Sequence, residues 1–395
     1  MNPDRDSNPV QYSEGNMAIE RREFLTGLAA VGASALVKSG EAAAQQSGKR
    51  YAQPVIDAHV HWYPPEYVDL IEKDGAANGV TDIRRNDKGE LECVMPGAHP
   101  YAPRADFRQN MTDVNLILKM MDDREVDLSV MTQTNPHVLW APPEFGLKLS
   151  RAINDATSAL AVKYPKRFLG GITLPMQDVN LSLQELDRGA KLPGMRAVNM
   201  PENILGKNLC DKSLWPVWER CEALGLPLFL HNLDPISERL VEKDFTMINI
   251  LGNPMEATIA ATVLVLGGVM DEFPKLDVYL PHAGGFFPFA TPRIDWAMGT
   301  AEYAPRGRSA QFKNLKLARA SDYRRRFHYD LILHDPKLTR TLIDTVGVDR
   351  VVCGTDYPQG MSIIKPVEYV EAIPGITQRE REMILCENPA RLLKM

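Results

Sequence analysis

Apolar runs rich in β-branched residues alternate with longer segments of helical periodicity from residue 54 to the end of the chain. Eight apolar runs have the length of strands: 54–59, 127–133, 167–174, 195–200, 226–231, 276–282, 327–333 and 350–356. Segments with apolar residues at helical spacing lie between them, among them 112–125, 143–163, 178–190, 213–224, 254–271 and 335–346. This alternation predicts an α/β fold, the (β/α)8 TIM barrel, with a doubly wound sheet as the alternative.

Two stretches interrupt the alternation. Residues 63–110 are rich in Pro, Gly and charge, which predicts an insertion after the first strand. Residues 301–322 carry several Lys and Arg residues and predict a basic, solvated excursion. We therefore expect one barrel domain over residues 46–395, to which these two segments are added.

The polar residues best suited to metal and proton chemistry fall at the ends of predicted strands. His59 and His61 end the first strand, where residues two apart point to the same face. His231 ends the fifth strand, His282 the sixth and Asp356 the eighth. One such histidine alone is typical of a core or loop position. Five residues at strand ends indicate a site, because the carboxyl ends of barrel strands form one rim.

Three imidazoles and one carboxylate are ligands that suit zinc, with manganese possible. The end of the predicted fourth strand, residues 198–200, offers no lysine that could be carbamylated to bridge two metal ions, so a single divalent ion is favoured. His282 can accept a proton from metal-bound water because imidazole titrates near neutrality, and its alternative role is that of a fifth ligand. Asp356 is predicted to serve both as a ligand and as a catalytic residue.

Composition narrows the class of protein. Of 395 residues, 44% are hydrophobic and 24% are charged, which is ordinary for a globular enzyme. The net charge of −6 gives no reason to expect nucleic acid or an anionic membrane as a partner. No apolar stretch is expected to cross a bilayer, and the five scattered cysteines are expected to be buried thiols.

The first 45 residues differ from the rest and resemble a twin-arginine (Tat) export signal. Arg21 and Arg22 precede a mild apolar run, and Ala42, Ala43 and Ala44 follow as a small-residue cleavage site. A disordered tail or a short surface helix is the alternative. Export predicts a periplasmic enzyme without a stable membrane anchor, and Met17 is a possible true start.

The strand-end residues lie in stretches that resemble the amidohydrolase superfamily, within it the group that contains 2-amino-3-carboxymuconate-6-semialdehyde decarboxylase and related aromatic-acid decarboxylases. The strongest stretch is residues 252–296, GNPMEATIAATVLVLGGVMDEFPKLDVYLPHAGGFFPFATPRIDW, supported by IDAHVH near the start and by LHDP and VVCGTDYP near the end. The resemblance implies a metal held by His59, His61, His231 and Asp356. It also implies that His282 is the base that activates the bound water.

The resemblance further implies residues that bind a small carboxylated substrate. Arg293, eleven residues after His282, matches an arginine that reaches across a homodimer interface to a substrate carboxylate. Arg108 is similar to a second carboxylate-binding arginine, and a guanidinium suits that role because it is planar and always charged. His334 and Phe286 are further expected substrate contacts, with capping of the next helix beside Asp335 as the alternative for His334.

Two departures put the substrate in doubt. The chain reads HNLDP after the fifth strand where these decarboxylases often read HPWD, and the aromatic expected in the pocket near residues 245–246 is Phe245 or is lost as Thr246. The expected reaction is non-oxidative decarboxylation of a small aromatic or muconate-like acid through metal-bound hydroxide. Hydrolysis of a carbonyl, lactone, amide or C–C bond in a ring-cleavage product is the nearest alternative, and a metal-holding binding protein without turnover is the third.

Overall fold

The structure, a computed structural model, describes residues 50–97, 104–233, 245–298 and 315–395. The predicted export signal, residues 1–45, lies outside these residues, and so does most of the basic excursion, residues 301–314. Numbered along the chain, the strands are β1 (Ile56–His61), β2 (Thr81–Arg85), β3 (Leu91–Val94), β4 (Arg104–Asp106), β5 (Leu128–Thr132), β6 (Phe168–Thr173), β7 (Met195–Pro201), β8 (Asn203–Ile204), β9 (Lys207–Asn208), β10 (Leu228–His231), β11 (Val278–Leu280) and β12 (Phe327–Tyr329).

The helices cover the segments between these strands. They are α1 (Pro65–Asp74), α2 (Gln109–Thr112), α3 (Val114–Asp123), α4 (Pro143–Lys163), α5 (Val179–Gly189), α6 (Trp215–Leu224), α7 (Asn253–Leu266), α8 (Val269–Glu272), α9 (Phe287–Ala297), α10 (Pro336–Val346), α11 (Pro366–Glu371), α12 (Gln378–Glu382) and α13 (Asn388–Leu392). Side chains of Asp113, Asp178 and Asp335 accept hydrogen bonds from the first turns of α3, α5 and α10.

The central element is a parallel sheet with the strand order β1-β5-β6-β7-β10-β11-β12. Residues of β1, β5 and β6 are buried on both faces, as expected for strands covered by helices outside and by one another inside. The inner face packs small and large apolar residues together, among them Ala58, Val130, Ala197 and Phe229. The predicted α/β architecture with parallel strands is confirmed.

The prediction of a regular eighth strand over residues 350–356 is wrong. The segment instead forms isolated parallel bridges to both edges of the sheet, from Val351 to Tyr329 and from Tyr357 to Val60. Asp356 has a left-handed φ of 61°, and Pro358 has no N–H to donate to a ladder. The segment still joins β12 to β1, so Asp356 reaches the same edge as the ends of the regular strands.

The predicted insertion, residues 63–110, has secondary structure of its own. It contains α1, α2 and a small antiparallel sheet with the order β2-β3-β4. An apolar cluster that includes Tyr67, Leu91 and Phe107 packs it against the start of α4. Residues 98–103 are outside the described part of this segment.

The sequence predicts no apolar segment long enough to cross a bilayer, and one helical run departs from this prediction. Ile248–Leu266 is long and apolar enough to cross a membrane by length and composition alone, with a mean hydropathy of 1.3. Its 18-residue window is 39% buried, and Ala260, Ala261 and Leu264 of α7 lie in the main core. Ile250 and Leu251, in the turn before α7, are exposed.

Candidate metal centre and active site

Four ligand-type side chains meet at the carboxyl edge of the parallel sheet. His59 Nε2 and His61 Nε2 are 3.1 Å apart, and His61 Nε2 is 2.9 Å from Asp356 Oδ1. His231 Nε2 is 3.8 Å from the same oxygen. All four residues are buried, and one ligand atom from each lies within 4.8 Å of all the others. The predicted ligand set therefore converges on one point.

The outer nitrogen of each imidazole is held by the protein. His231 Nδ1 lies 2.8 Å from the backbone oxygen of Asn232, to which it donates. His59 Nδ1 lies 3.1 Å from Asp330 Oδ2. Thr132 Oγ1 donates to the Val60 carbonyl at 3.0 Å and therefore accepts from His61 Nδ1 at 3.3 Å. These contacts place the proton on Nδ1 and direct the Nε2 lone pairs at the centre, as in many metal sites.

The residues present fit a single divalent cation. Two imidazole lone pairs at 3.1 Å repel each other unless a cation lies between them. His231 Nε2 is buried without a hydrogen-bond partner, an arrangement that costs about 1–3 kcal/mol unless something binds the nitrogen. Imidazole nitrogen and carboxylate oxygen are ligands of zinc and of manganese.

The protonation states also suit metal ligation. Burial lowers the pKa of His61 to about 4, and it does the same for His231. Burial raises the pKa of Asp356, but the electrostatic effect of the surrounding histidines, His59 first among them, outweighs it, so this pKa lies well below its ordinary value. At neutral pH His61 and His231 are therefore uncharged and Asp356 is ionised, which are the forms that bind metal.

Asp330 connects the metal centre to the loop that carries His282. Its Oδ2 accepts from the Tyr279 hydroxyl at 2.9 Å and from the backbone N–H of His282 at 3.0 Å, besides His59. Its Oδ1 accepts from the N–H groups of Ala283 at 2.6 Å and Ile332 at 3.1 Å. One buried carboxylate thereby orients both a ligand and the predicted base.

A second buried acid joins β1 to the segment that bears Asp356. Asp57 accepts from Thr355 Oγ1 at 2.5 Å and Thr355 N at 3.1 Å. The guanidinium of Arg124 lies 3.4 Å from Asp57 Oδ2 and 4.5 Å from the centre of the Tyr357 ring. These contacts fix Asp356, which lies between Thr355 and Tyr357, relative to His59 and His61.

His282 lies beside the ligand cluster, but its side chain forms no hydrogen bond with the cluster. Its Nε2 is 3.9 Å from Asp356 Oδ2, and both ring nitrogens are buried without a hydrogen-bond partner. The backbone from His282 to Gly285 has positive φ throughout, and a Cβ at Gly285 would overlap the carbonyl oxygen of Pro254. Such strain is typical of functional sites, and glycine is required where the loop meets α7.

A cavity of about 210 Å³ opens beside the ligands and is lined by His282, His334, Asp356, Gln359 and Asn249, among others. A cavity of about 150 Å³ in another protein holds benzene, so this one has room for a single substituted ring. The floor of the cavity is polar through His282 and Asp356, while Ile250, Ile332 and Leu333 form apolar walls.

The structure places the predicted substrate-binding residues at different distances from this cavity. His334 lines it, and Arg108 lies next to it because its Nη2 is 3.4 Å from Gln359 Oε1. Phe286 is 61% exposed and is absent from the described lining. Arg293 is exposed on α9 and is absent from the described lining of the cavity.

The sequence did not identify every residue of the site, and one residue that it placed in the pocket lies outside the cavity. Phe245, expected in the pocket, is 68% exposed and outside the described lining, and Asn249, four residues later, lines the cavity. Asp330 is not among the predicted residues, although it is a lone acid within the apolar run FHYDLIL, a pattern that signals a buried polar role. Gln359 follows Asp356 closely but has no pattern of its own.

Known proteins share both the sequence motifs and the fold of this chain. The amidohydrolase family, described as "Amidohydrolase", matches residues 56–395. The 2-amino-3-carboxymuconate-6-semialdehyde decarboxylase of Dictyostelium discoideum is 29% identical over 343 residues, covering 86% of this chain and 91% of that protein.

Two solved structures share the fold. The 5-carboxyvanillate decarboxylase of Sphingomonas paucimobilis has a TM-score of 0.72 at 24% identity, covering 87% of this chain and 100% of that one. The dihydroxybenzoic acid decarboxylase of Polaromonas sp. was solved with bound manganese and an inhibitor. It has a TM-score of 0.63 at 22% identity, and the match covers 87% of this chain and 97% of that one. With a match that spans residues 56–395, this chain belongs to the amidohydrolase family.

Proposed function

We propose that this protein is a metal-dependent decarboxylase that removes a carboxyl group, without oxidation, from a small aromatic or muconate-like acid. The observation that carries the proposal is the buried cluster of His59, His61, His231 and Asp356, which opens beside His282 onto a ring-sized cavity. The activities named for the relatives from Dictyostelium, Sphingomonas and Polaromonas support the same reaction class.

The four clustered side chains would hold one divalent cation, for which we propose zinc, with manganese as the alternative. When bound, such a cation stabilises negative charge on oxygen and lowers the pKa of water. Manganese is the ion bound in the Polaromonas structure. Asp330 and Thr132 keep the ligand imidazoles in the orientation that the cation requires.

His282 is the acid–base group in this proposal. In decarboxylation the bond to the carboxyl carbon breaks, its electron pair stays on the remaining carbon, and that carbon takes up a proton. His282 is positioned to hold and move this proton because its imidazole lines the cavity and both of its nitrogens lack a protein partner. Asp330 keeps the ring in place through the backbone of His282 and Ala283.

Substrate orientation would come from groups at the cavity wall. Arg108, beside Gln359, offers a charged planar donor to a carboxylate. His334 lines the same wall in a left-handed conformation with φ of 57°, a backbone state that persists where the surroundings hold it. Apolar Ile332 and Leu333 would exclude water from the face of the substrate.

A homodimer is part of the proposal because Arg293 is exposed and does not line the described cavity of its own chain. The exposed rim near α7 and α9 carries large apolar side chains, namely Phe245, Ile250, Leu251, Met255, Phe286 and Trp296. A second copy packed on this rim would cover them and bring its Arg293 toward the first copy's cavity. Mixing inactive Arg293→Ala with inactive His59→Asn should then restore activity, because one site in each mixed dimer is intact. If the two variants exchange subunits and the mixture stays inactive, the proposal of a site shared between subunits is excluded.

We also propose that the protein is exported by the twin-arginine route to the periplasm. The support is the order Arg21-Arg22, apolar run, Ala42-Ala43-Ala44 at the start of the chain. Fractionation of cells should find a shortened chain outside the cytoplasmic membrane, and Arg21→Lys with Arg22→Lys should keep it inside. Full-length protein in the cytosol of wild-type cells would contradict export.

The reaction is tested by incubating the zinc- or manganese-loaded protein with a panel of hydroxylated benzoic acids and ring-cleavage acids. Decarboxylation releases one molecule of carbon dioxide for each molecule of product, and the released carbon dioxide is measured directly. Hydrolysis, the alternative, would incorporate ¹⁸O from labelled water without gas release. Turnover by wild type and its absence in Asp356→Asn would support the proposal, and ¹⁸O incorporation without gas would replace it by hydrolysis.

A further inference from the structure

Three asparagine side chains form a row of hydrogen bonds between the metal centre and the cavity. Asn232 Nδ2 donates to Asn253 Oδ1 at 2.6 Å, and Asn253 Nδ2 donates to Asn249 Oδ1 at 3.3 Å. At the inner end, the backbone oxygen of Asn232 accepts from the ligand histidine His231 at Nδ1. At the outer end, Asn253 and Asn249 both line the cavity. We call Asn232, Asn253 and Asn249 the asparagine row.

The asparagine row joins two separate parts of the fold. Asn232 directly follows the last residue of β10, at the position where HNLDP departs from HPWD. Asn249 lies in the helical turn before α7, and Asn253 is the first residue of α7. Side chains four residues apart are neighbours on a helix, so these two can pair. A Cβ at Gly285 would overlap the carbonyl oxygen of Pro254, so this end of α7 packs directly on the loop that follows His282.

The direction of the hydrogen bonds decides what the row offers to a ligand. In the observed direction, the amide atom left without a partner at the buried end is Asn232 Oδ1. With all three amides reversed, the same position would bury an NH₂ group whose two donors lack partners. Buried N–H groups without a partner are rarer in proteins than buried carbonyl oxygens without one. The observed direction is therefore favoured, and it leaves the NH₂ group of Asn249 at the outer end.

Asn249 has hydrogen-bond donors available at the cavity. Its side chain is exposed, and among the residues that the structure describes its Nδ2 donates to none. Its Oδ1 is already occupied by Asn253, so Asn249 offers donors rather than an acceptor. Hydrogen-bonded amides in series also polarise one another, which strengthens the donor at the end of the row.

The charge of this part of the cavity limits the kind of acceptor that the donors fit. No lysine or arginine belongs to the described lining, whose polar members on this side are the neutral amides of Asn249 and Asn253. Burying an anion without a cation costs far more than burying an uncharged group that receives a hydrogen bond. The NH₂ group of Asn249 therefore fits an uncharged oxygen better than a second carboxylate.

We propose that Asn249 is a specificity-determining residue, whose NH₂ group donates a hydrogen bond to an uncharged acceptor oxygen of the substrate, such as a carbonyl oxygen. This role rests on the proposed function in that the ligand is the acid to be decarboxylated. A carbonyl oxygen matches the site because it accepts without bringing a hydrogen that would need an acceptor of its own. The site accordingly prefers an acid with a carbonyl substituent over the same acid with a hydrocarbon substituent of similar shape.

Binding is measured by calorimetry on the zinc-loaded protein with matched pairs of probes. Each of the three formylbenzoate isomers is compared with the vinylbenzoate of the same ring position, because the two substituents have similar shapes and only the formyl oxygen accepts a hydrogen bond. We expect at least one formyl isomer to bind the wild type about 2- to 10-fold more tightly than its vinyl partner, the range of one net hydrogen bond. Asn249→Leu should remove most of this preference and change the binding of the vinyl probe little.

Two further variants make the test specific for the donor. Asn249→Asp keeps the shape of the side chain but replaces the NH₂ group by an acceptor, so it should also remove the preference. Asn180→Leu is the matched control, because Asn180 is an exposed asparagine of α5 outside the described lining of the cavity, and it should keep the preference. No preference in any wild-type pair would overturn the proposal, and so would a preference that survives in either Asn249 variant.

The comparison of probes does not depend on turnover. If the wild type releases no carbon dioxide from any acid, the proposed function fails, while the formyl and vinyl probes still report on Asn249. If carbon dioxide is released but the wild type binds each formyl probe no better than its vinyl partner, the role of Asn249 fails and the proposed function stands.

Discussion

Replacing Asp330 by asparagine tests how strongly the metal centre depends on a residue that does not itself bind metal. Asp330 accepts five hydrogen bonds, three at Oδ2 from His59, Tyr279 and His282, and two at Oδ1 from backbone N–H groups. An asparagine has one oxygen and one NH₂ group. If its oxygen keeps the two backbone donors at Oδ1, its NH₂ group faces the three donors at the other position.

The magnitude follows from this geometry. The Tyr279 hydroxyl can rotate and accept, but the backbone N–H of His282 cannot, and its unsatisfied burial costs about 1–3 kcal/mol of unfolding free energy. His59 can pair with the NH₂ group only through an unprotonated Nδ1, which places its proton on Nε2 and blocks metal binding. Loss of a carboxylate partner of a ligand histidine typically lowers metal affinity about 10- to 100-fold, or roughly 1.4–2.7 kcal/mol.

Zinc affinity measured by competition with a chromophoric chelator at pH 7.5, together with a denaturant melt, provides the assay. Asp344→Asn is the matched control, since Asp344 is an exposed aspartate of α10 that pairs with Arg340. We expect the Asp330 variant to lose affinity by the stated factor and the control to keep it. An Asp330→Asn protein with wild-type zinc affinity would refute the reasoning that this carboxylate sets the tautomer of His59.

Three further predictions concern the base, the loop and the pH dependence. His282→Asn should keep one metal per chain by elemental analysis and slow turnover about 10²- to 10⁴-fold, and metal loss would instead make His282 a ligand. Gly285→Ala should lower the unfolding free energy by about 1–3 kcal/mol or more because its φ is left-handed and its Cβ overlaps Pro254, whereas Gly360→Ala, with nothing within 4 Å of the new Cβ, should change it little. The pKa values of His61 and His231 are lowered to about 4 in the folded protein, below the value near 6.5 of an unfolded chain. The unfolded state therefore takes up protons first, so the stability of the metal-free protein is full above about pH 6.5 and falls as the pH drops toward 4. Urea melts at several pH values check this, and constant stability from pH 7 to 5 would contradict it.

The ligand set could be predicted because it depends on two local rules. Alternation puts His59 and His61 on one face of a strand, and parallel strands present their carboxyl ends at one edge. His231 follows the last apolar residues of its run directly, so its place at that edge is readable from the sequence. The family resemblance, carried by motifs in order along the chain, agrees with the matched residues 56–395.

Features that depend on tertiary contacts could not be predicted. The apolar run over 350–356 looks like a strand, but Gly354 lies so close to Tyr279 and Asp330 that no side chain fits, and Asp356 turns into a left-handed conformation. The role of Asp330 arises because Tyr279 and His282 come from a neighbouring strand and its loop. Neither contact leaves a periodic trace in the sequence.

The insertion is the least readable part for a similar reason. Residues 63–110 form short helices and strands whose apolar positions pack on one another and on α4 rather than on the main sheet. Its exposed β2 shows no alternation between apolar and polar residues.

Anomalous diffraction at the zinc edge, from crystals of the purified wild-type protein supplied with zinc, tests the central claim most directly. We predict one strong peak per chain, within about 2.0–2.3 Å of Nε2 of His59, His61 and His231 and of a carboxylate oxygen of Asp356. The absence of a peak among these four side chains, or a zinc ion bound elsewhere while this cluster stays metal-free, would contradict the claim that they form the metal centre.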